Sequence, residues 1–160
     1  MIETPGDIDR VLSDGDLQQL RKGYDGADMT HILSTGIPRL DKHTTKYIHS
    51  IRRAFYDGTR MLPKDRERCL IGILSSRDSG LNLAIHIYVG LMEGLSPDEI
   101  SDVIFLGGVY TGVDRLSDGL AAEVRALTVL KHVVGSGSCA ALDVMKALKA
   151  AFTPPPPTPK

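Results

Sequence analysis

Residues 79–94, SGLNLAIHIYVGLMEG, decide the fold, because their large apolar side chains point in every direction around a helix. A helix that is apolar on all sides is buried in a protein interior. We therefore predict that this segment forms the central helix of the protein. His86 lies in its middle, near Asn82 and Tyr88, and the function of an ionisable ring at such a position becomes the main question.

The segments on both sides of this helix also have helical spacing of apolar residues, and none alternates in the manner of a strand. Ser96, Pro97 and Glu99 have the order of a capping box with proline at the first helical position, and Pro63 occupies that position in the preceding helix. The core face of the helix that begins at Pro63 is predicted to consist of Leu70, Ile71, Ile73 and Leu74. In the helix capped by Ser96, helical rather than alternating spacing is kept by the apolar positions Ile100, Val103, Ile104 and Val109. The predicted fold class is all-α.

Further helices are predicted over the rest of the chain. Four of them cover the segments DLQQLRKGYDG, GADMTHILSTGIP, DKHTTKYIHSIRRAFY and CAALDVMKALKAAF. Gly23 is predicted to end the first of these as its C′ residue. A fifth, long helix follows Gly112 and runs from about 114 to 134. The segment TPPPPTPK cannot be helical and is expected to form an exposed polyproline II tail.

Composition excludes several classes of function. The chain has 160 residues, enough for one domain with a sizeable core, and its net charge of −1 with 5% aromatic residues argues against a nucleic-acid partner. No apolar run approaches the roughly 18 residues of a membrane span. The N-terminus is acidic and has no signal-peptide core, so a cytoplasmic protein without a membrane partner is expected. Cys69 and Cys139 form no CxxC motif and are expected to be reduced.

The order of motifs around His86 resembles the carboxymuconolactone decarboxylase and AhpD-like family. Glu67 precedes His86 by nineteen residues, a GLSPDEI cap follows at 94–100, and VYTG follows at 109–112. The resemblance covers about residues 60 to 125. It implies an AhpD-like helical bundle of about six to eight helices over residues 41–152. It also implies a homo-oligomer, a trimer or a hexamer, with active sites near subunit contacts.

The regions outside this domain have no such resemblance. Residues 1–40 are interpreted as an N-terminal helical extension, a possible lid or partner surface, which could supply His31 or Arg39 over the site. Residues 153–160 are interpreted as a disordered tail.

The family divides by its chemistry, and this sequence is more similar to the decarboxylase branch. The peroxidase branch has a CxxC pair at positions that are Ser79 and Asn82 here, and neither side chain can form a thiolate or a disulfide. The decarboxylase branch retains the histidine and acts on a small carboxylated lactone. Loss of carbon dioxide then leaves an electron-rich dienolate that must be protonated on carbon, and a histidine–carboxylate pair suits that task.

The resemblance therefore implies an enzyme with His86 and Glu67 as catalytic residues and a small organic acid as substrate. Arg77 is the candidate for binding the substrate carboxylate, because its planar fork matches that group. Tyr110 is the candidate for donating a hydrogen bond to the lactone oxygens, and Asn82 is a further candidate for binding the substrate. No cofactor and no metal are expected, since His43 and His49 do not have metal-ligand spacing.

Other interpretations stay open on the sequence alone. His86 could be a satisfied core histidine, Glu67 a solvated charge in the first helical turn, Arg77 a surface cation and Tyr110 a packing residue. A non-catalytic binding or assembly protein on the same scaffold is the main alternative function. A thiol-dependent antioxidant that uses Cys69 without a resolving cysteine is a further one.

Overall fold

A computed structural model describes residues 11–27, 60–77 and 80–153, together with the single residues 32, 46 and 50. These parts contain six helices and no strand, so the all-α prediction is confirmed for them. The helices are α1 (Asp14–Tyr24), α2 (Pro63–Ser75), α3 (Gly80–Met92), α4 (Pro97–Thr111), α5 (Val113–Ser136) and α6 (Ala141–Phe152). The predicted helices GADMTHILSTGIP and DKHTTKYIHSIRRAFY, His31 and Arg39, and the tail after residue 153 lie outside the described residues.

The helix α3 is the centre of the bundle, as its sequence predicts. It packs against α1, α2, α5 and α6 and more lightly against α4. Nine of its thirteen residues are buried, and they are Leu83, Ala84, Ile85, Ile87, Tyr88, Val89, Gly90, Leu91 and Met92. No helix in the described ranges is both long enough and apolar enough to cross a lipid bilayer.

The helix boundaries follow the local chemistry that the sequence contains. The Ser96 hydroxyl accepts from the Glu99 backbone N–H and the Glu99 carboxylate accepts from the Ser96 N–H, so the predicted capping box is confirmed. Pro63 stands at the start of α2. Gly112 separates α4 from α5 with a φ of +112°, a backbone conformation that residues other than glycine rarely adopt.

Two predictions about helix ends and faces are wrong. Gly23 does not end the first helix but lies inside its last turn, where the space belongs to a glycine because a Cβ would collide with the Cys139 carbonyl oxygen. Ile73, predicted to face the core, is more than half exposed, and so is Val109. Their apolar character is real, but they lie on the outer faces of α2 and α4, where the described part of the chain does not cover them.

Two carboxylates are fully buried in this bundle. Glu67 lies on α2 and Glu123 lies on α5, and both side chains are 0% exposed. Burying an ionised carboxylate is costly unless a polar partner binds it. The partners of these two groups therefore indicate where the protein has retained polar chemistry in its interior.

Candidate functional site

The crossing of α2 and α3 places Glu67 beside the central helix. Gly90 allows a close approach here, since a Cβ on it would be 2.9 Å from Leu95 Cδ1, 3.1 Å from Ile71 Cδ1 and 3.7 Å from Glu67 Cβ. His86 precedes Gly90 by four residues, one helical turn, so it faces the same neighbour as Gly90 does. The crossing therefore brings two residues that are nineteen positions apart into contact.

The centre of the candidate site is the contact between Glu67 and His86. The Glu67 Oε2 atom lies 2.7 Å from the His86 Nδ1 atom. Because a carboxylate only accepts hydrogen bonds, this contact requires the ring to carry its proton on Nδ1. The carboxylate is fully buried, whereas the His86 side chain is 24% exposed. The pair thus joins a buried anion to an ionisable ring that solvent reaches.

The geometry leaves the second ring nitrogen available. Within the described residues, His86 Nε2 makes no hydrogen bond, and Glu67 is the partner of Nδ1. A neutral ring fixed in this way has its lone pair on Nε2 and can accept a proton there. A protonated ring can donate from the same atom. The interpretation of Glu67 as a solvated charge is excluded by its complete burial.

Arg66 supplies a positive charge next to the buried carboxylate. Its Nε atom lies 3.6 Å from Glu67 Oε1, and its own side chain is only 10% exposed. Glu67 Oε1 has no hydrogen-bond partner among the described residues. This guanidinium therefore lies beside the carboxylate oxygen that does not bind His86.

Two tyrosines lie near the pair; Tyr88 was noted beside His86 in the sequence, whereas Tyr24 was not identified. Tyr24 of α1 packs edge-to-face on Tyr88 of α3, with ring centroids 5.8 Å apart, and its hydroxyl donates to Glu93 Oε1 at 3.1 Å. Burial, the charge of Glu93 and the charge of Glu67 all raise the pKa of Tyr24. Burial also raises the pKa of Tyr88. Both raised pKa values favour the neutral hydroxyl over the phenolate, and the buried Tyr88 hydroxyl has no hydrogen-bond partner among the described residues.

The other predicted site residues are on the surface. Asn82 is exposed and lies one turn before His86 on the same face of α3. Arg77 is exposed in the turn after α2, and Tyr110 is 84% exposed near the end of α4. No hydrogen bond or ion pair joins any of the three to Glu67 or His86 in the described part of the chain.

The two cysteines and two surface clefts do not form part of the Glu67–His86 contact. Cys69 is exposed, Cys139 is partly buried, and both are free thiols. Among the residues that the structure describes, no group of three or more His, Cys, Asp or Glu side chains could hold a metal ion. Two open clefts of about 430 and 550 Å³ include neither member of the Glu67–His86 pair. The first lies between α1 and the turn that precedes α4, and the second lies near the end of α5.

Comparison with known proteins gives no family for this chain. No family model, no curated protein and no solved structure matches it. The resemblance to the carboxymuconolactone decarboxylase and AhpD-like family therefore stays a prediction from the sequence.

Proposed function

We propose that the protein is a carboxymuconolactone decarboxylase-like enzyme that acts on a small carboxylated organic acid of the lactone type. The observation that carries this proposal is the 2.7 Å contact between the buried Glu67 carboxylate and the partly exposed His86 ring. An interior carboxylate that binds one nitrogen of an imidazole and leaves the other nitrogen unbound is an arrangement that suits acid–base catalysis.

The proposed step is a decarboxylation followed by protonation on carbon. The bond between the substrate carbon and its carboxylate breaks, carbon dioxide leaves, and the electron pair enters the conjugated lactone as a dienolate. The His86 ring, protonated on both nitrogens, then donates its Nε2 proton to carbon and becomes neutral. A proton from water restores the ring, so each turnover consumes one proton. Glu67 accepts the Nδ1–H bond throughout and stabilises the imidazolium.

The surface residues supply the remaining functions in this proposal. Asn82 lies one turn from His86, where its amide is available to lactone oxygens. Arg77 would bind the substrate carboxylate with its planar fork, and Tyr110 would donate a hydrogen bond to the lactone. The proposal also includes assembly into a homo-trimer or homo-hexamer, in which a neighbouring chain would cover surfaces that are exposed in a single chain.

The test is turnover of a panel of γ-lactone carboxylic acids, measured by release of carbon dioxide, in the wild type and in His86→Gln. We expect the substitution to abolish turnover, because glutamine cannot carry a proton to carbon, while circular dichroism shows an unchanged helical content. His132→Gln is the matched control, since His132 is exposed on α5 and makes no contact with Glu67 or His86. It should retain full turnover.

Two outcomes would contradict the proposal. Turnover that survives in His86→Gln would remove the ring from the chemistry. A wild type that binds lactone acids at His86, seen as shifts of its ring resonances, but releases no carbon dioxide would support a binding protein instead of an enzyme.

A further inference from the structure

Arg66 is an arginine in the interior of the bundle, directly before Glu67 on α2. Its side chain is only 10% exposed, and its Nε atom forms an ion pair with Glu67 Oε1 at 3.6 Å. An arginine is almost never fully buried unless it is paired. Arg68, on the same helix, shows the ordinary alternative, because it is 38% exposed and binds the surface carboxylates of Asp65 and Glu99. The Glu67 carboxylate is an anionic partner of the kind that the buried cation needs.

The contact between Arg66 and Glu67 is not one that helix geometry supplies by itself. Successive side chains on a helix point in directions about 100° apart, so residues i and i+1 do not face each other. The Arg66 stem therefore has to fold back across α2 to bring Nε beside Oε1. Ordering such a long side chain costs rotamer freedom. The fold keeps the guanidinium beside the carboxylate in spite of this cost.

Glu67 needs a second contact because one hydrogen bond does not fix a carboxylate. Its Oε2 atom binds Nδ1 of His86 at 2.7 Å, whereas Oε1 has no hydrogen-bond partner among the described residues. The last torsion of a glutamate side chain has a broad energy profile, so the carboxylate turns about it at little cost. A turned carboxylate would move Oε2 out of line with the ring. A cation beside Oε1 opposes this rotation, since the attraction weakens as the two groups separate.

We infer that Arg66 is a positioning residue, which holds the Glu67 carboxylate so that Oε2 faces Nδ1 and His86 keeps its proton on that nitrogen. Arg66 acts through Glu67 and does not touch the substrate. Its effect on catalysis rests on the proposed function, whereas its effect on the ring needs no substrate. The two effects are therefore tested separately.

The first test is nitrogen-15 NMR of the His86 ring in the full chain, at a pH where the ring is neutral. The wild type should show the proton on Nδ1, with well separated resonances for the two ring nitrogens. Arg66→Met keeps an unbranched stem without the charge, so the two resonances should move toward each other as the second tautomer becomes populated. Arg66→Lys returns a cation and should restore the wild-type pattern. Arg68→Met is the matched control and should leave the ring unchanged, because Arg68 binds Asp65 and Glu99 instead of Glu67.

The fold has to be intact in each variant, because a buried carboxylate that loses its cation also destabilises a protein. Helical circular dichroism checks this. If Arg66→Met has lost helix, Arg66→Gln takes its place, since its amide can form hydrogen bonds in the interior without a charge, and the same movement of the resonances is expected. A folded Met or Gln variant with the wild-type ring spectrum would overturn the positioning role.

Turnover of a lactone acid separates this role from the proposed function. Arg66→Met should lower kcat by up to about 10²-fold, the cost of a small displacement of a catalytic group, and should leave KM close to that of the wild type. In a Glu67→Gln background it should have no further effect, because its route to the ring is already removed. A further loss there, or a raised KM, would indicate direct contact with the substrate and overturn the positioning role. If Arg66→Met changes the ring but no variant and no wild type turns over a lactone acid, the proposed function is wrong and the positioning role stands.

Discussion

Glu67 and Glu123 are both fully buried carboxylates, but their partners differ in chemical kind. Glu67 on α2 binds the His86 ring at 2.7 Å, and that ring is partly exposed. Glu123 on α5 accepts a hydrogen bond from the Ser101 hydroxyl of α4 at 2.9 Å. An imidazole titrates near neutral pH and a hydroxyl does not. The hydrogen bond from Ser101 joins Glu123 of α5 to α4, whereas the contact between Glu67 and His86 is the one that the proposed function uses.

The largest expected difference between the two carboxylates is in catalysis. Glu67→Gln should lower kcat/KM on a turned-over lactone acid by a factor of about 10²–10⁴, the usual contribution of acid–base catalysis. The amide would offer an N–H to Nδ1 and so favour the wrong tautomer of His86. Glu123→Gln has the same change of group at a carboxylate that does not bind the His86 ring. It should leave kcat/KM within a few-fold of the wild type.

A spectroscopic measurement separates this positioning role of Glu67 from a purely structural one. Nitrogen-15 NMR of the ring should show the proton on Nδ1 in the wild type and on Nε2 in Glu67→Gln. Glu123→Gln should keep the wild-type pattern. Identical ring spectra in all three proteins would mean that Glu67 does not set the tautomer, and the proposed role would be wrong.

The contact at Glu67 was predictable from the sequence, while the role of Glu123 was missed. The order and spacing of Glu67, His86 and the motifs after them resemble those of the carboxymuconolactone decarboxylase and AhpD-like family, and this resemblance implied the pair before its geometry was known. Glu123 gave a signal that was not used: it lies three residues after Leu120 and four before Leu127, within the apolar stripe of α5. A charge in an apolar stripe indicates burial with a partner, and only the tertiary structure identifies Ser101.

The error at Ile73 has a different physical origin, which the exposed Val109 illustrates as well. Helical spacing shows which residues are apolar, but it does not show what covers them. On α4 the apolar residues occupy both faces, so the pattern cannot separate the face that meets α2 and α5 from the outer face. Tyr24 was missed for a related reason, because its contact with Tyr88 joins helices that are far apart in the chain.

A smaller effect is expected on the free energy of unfolding, to which the hydrogen bond between Ser101 and Glu123 contributes. Ser101→Ala should lower the free energy of unfolding by about 1–3 kcal/mol, because the hydroxyl donates to a buried charged group. Ser117→Ala is the control, since Ser117 is exposed on α5 and gains the same helix propensity from alanine. Urea denaturation at one protein concentration measures both. Equal stabilities of the two variants would show that the Ser101 hydrogen bond contributes nothing.

The smallest expected effect belongs to a third kind of carboxylate, one at the surface. The backbone N–H of Ser96 and the cations Lys64 and Arg68 lower the pKa of Glu99 from its ordinary 4.5. A lowered pKa favours the folded state above pH 4.5, and this contribution is lost as the pH falls through the folded-state value.

Glu99→Gln keeps an oxygen that can cap α4 but has no charge to lose. Between about pH 5 and 3, its unfolding free energy should therefore fall less steeply than that of the wild type. The difference should be smaller than the loss in Ser101→Ala, because Glu99 is screened by solvent. Parallel curves for the two proteins over this range would show that the acid sensitivity comes from other carboxylates, Asp16 among them, whose pKa is lowered by Lys131 and Ser13.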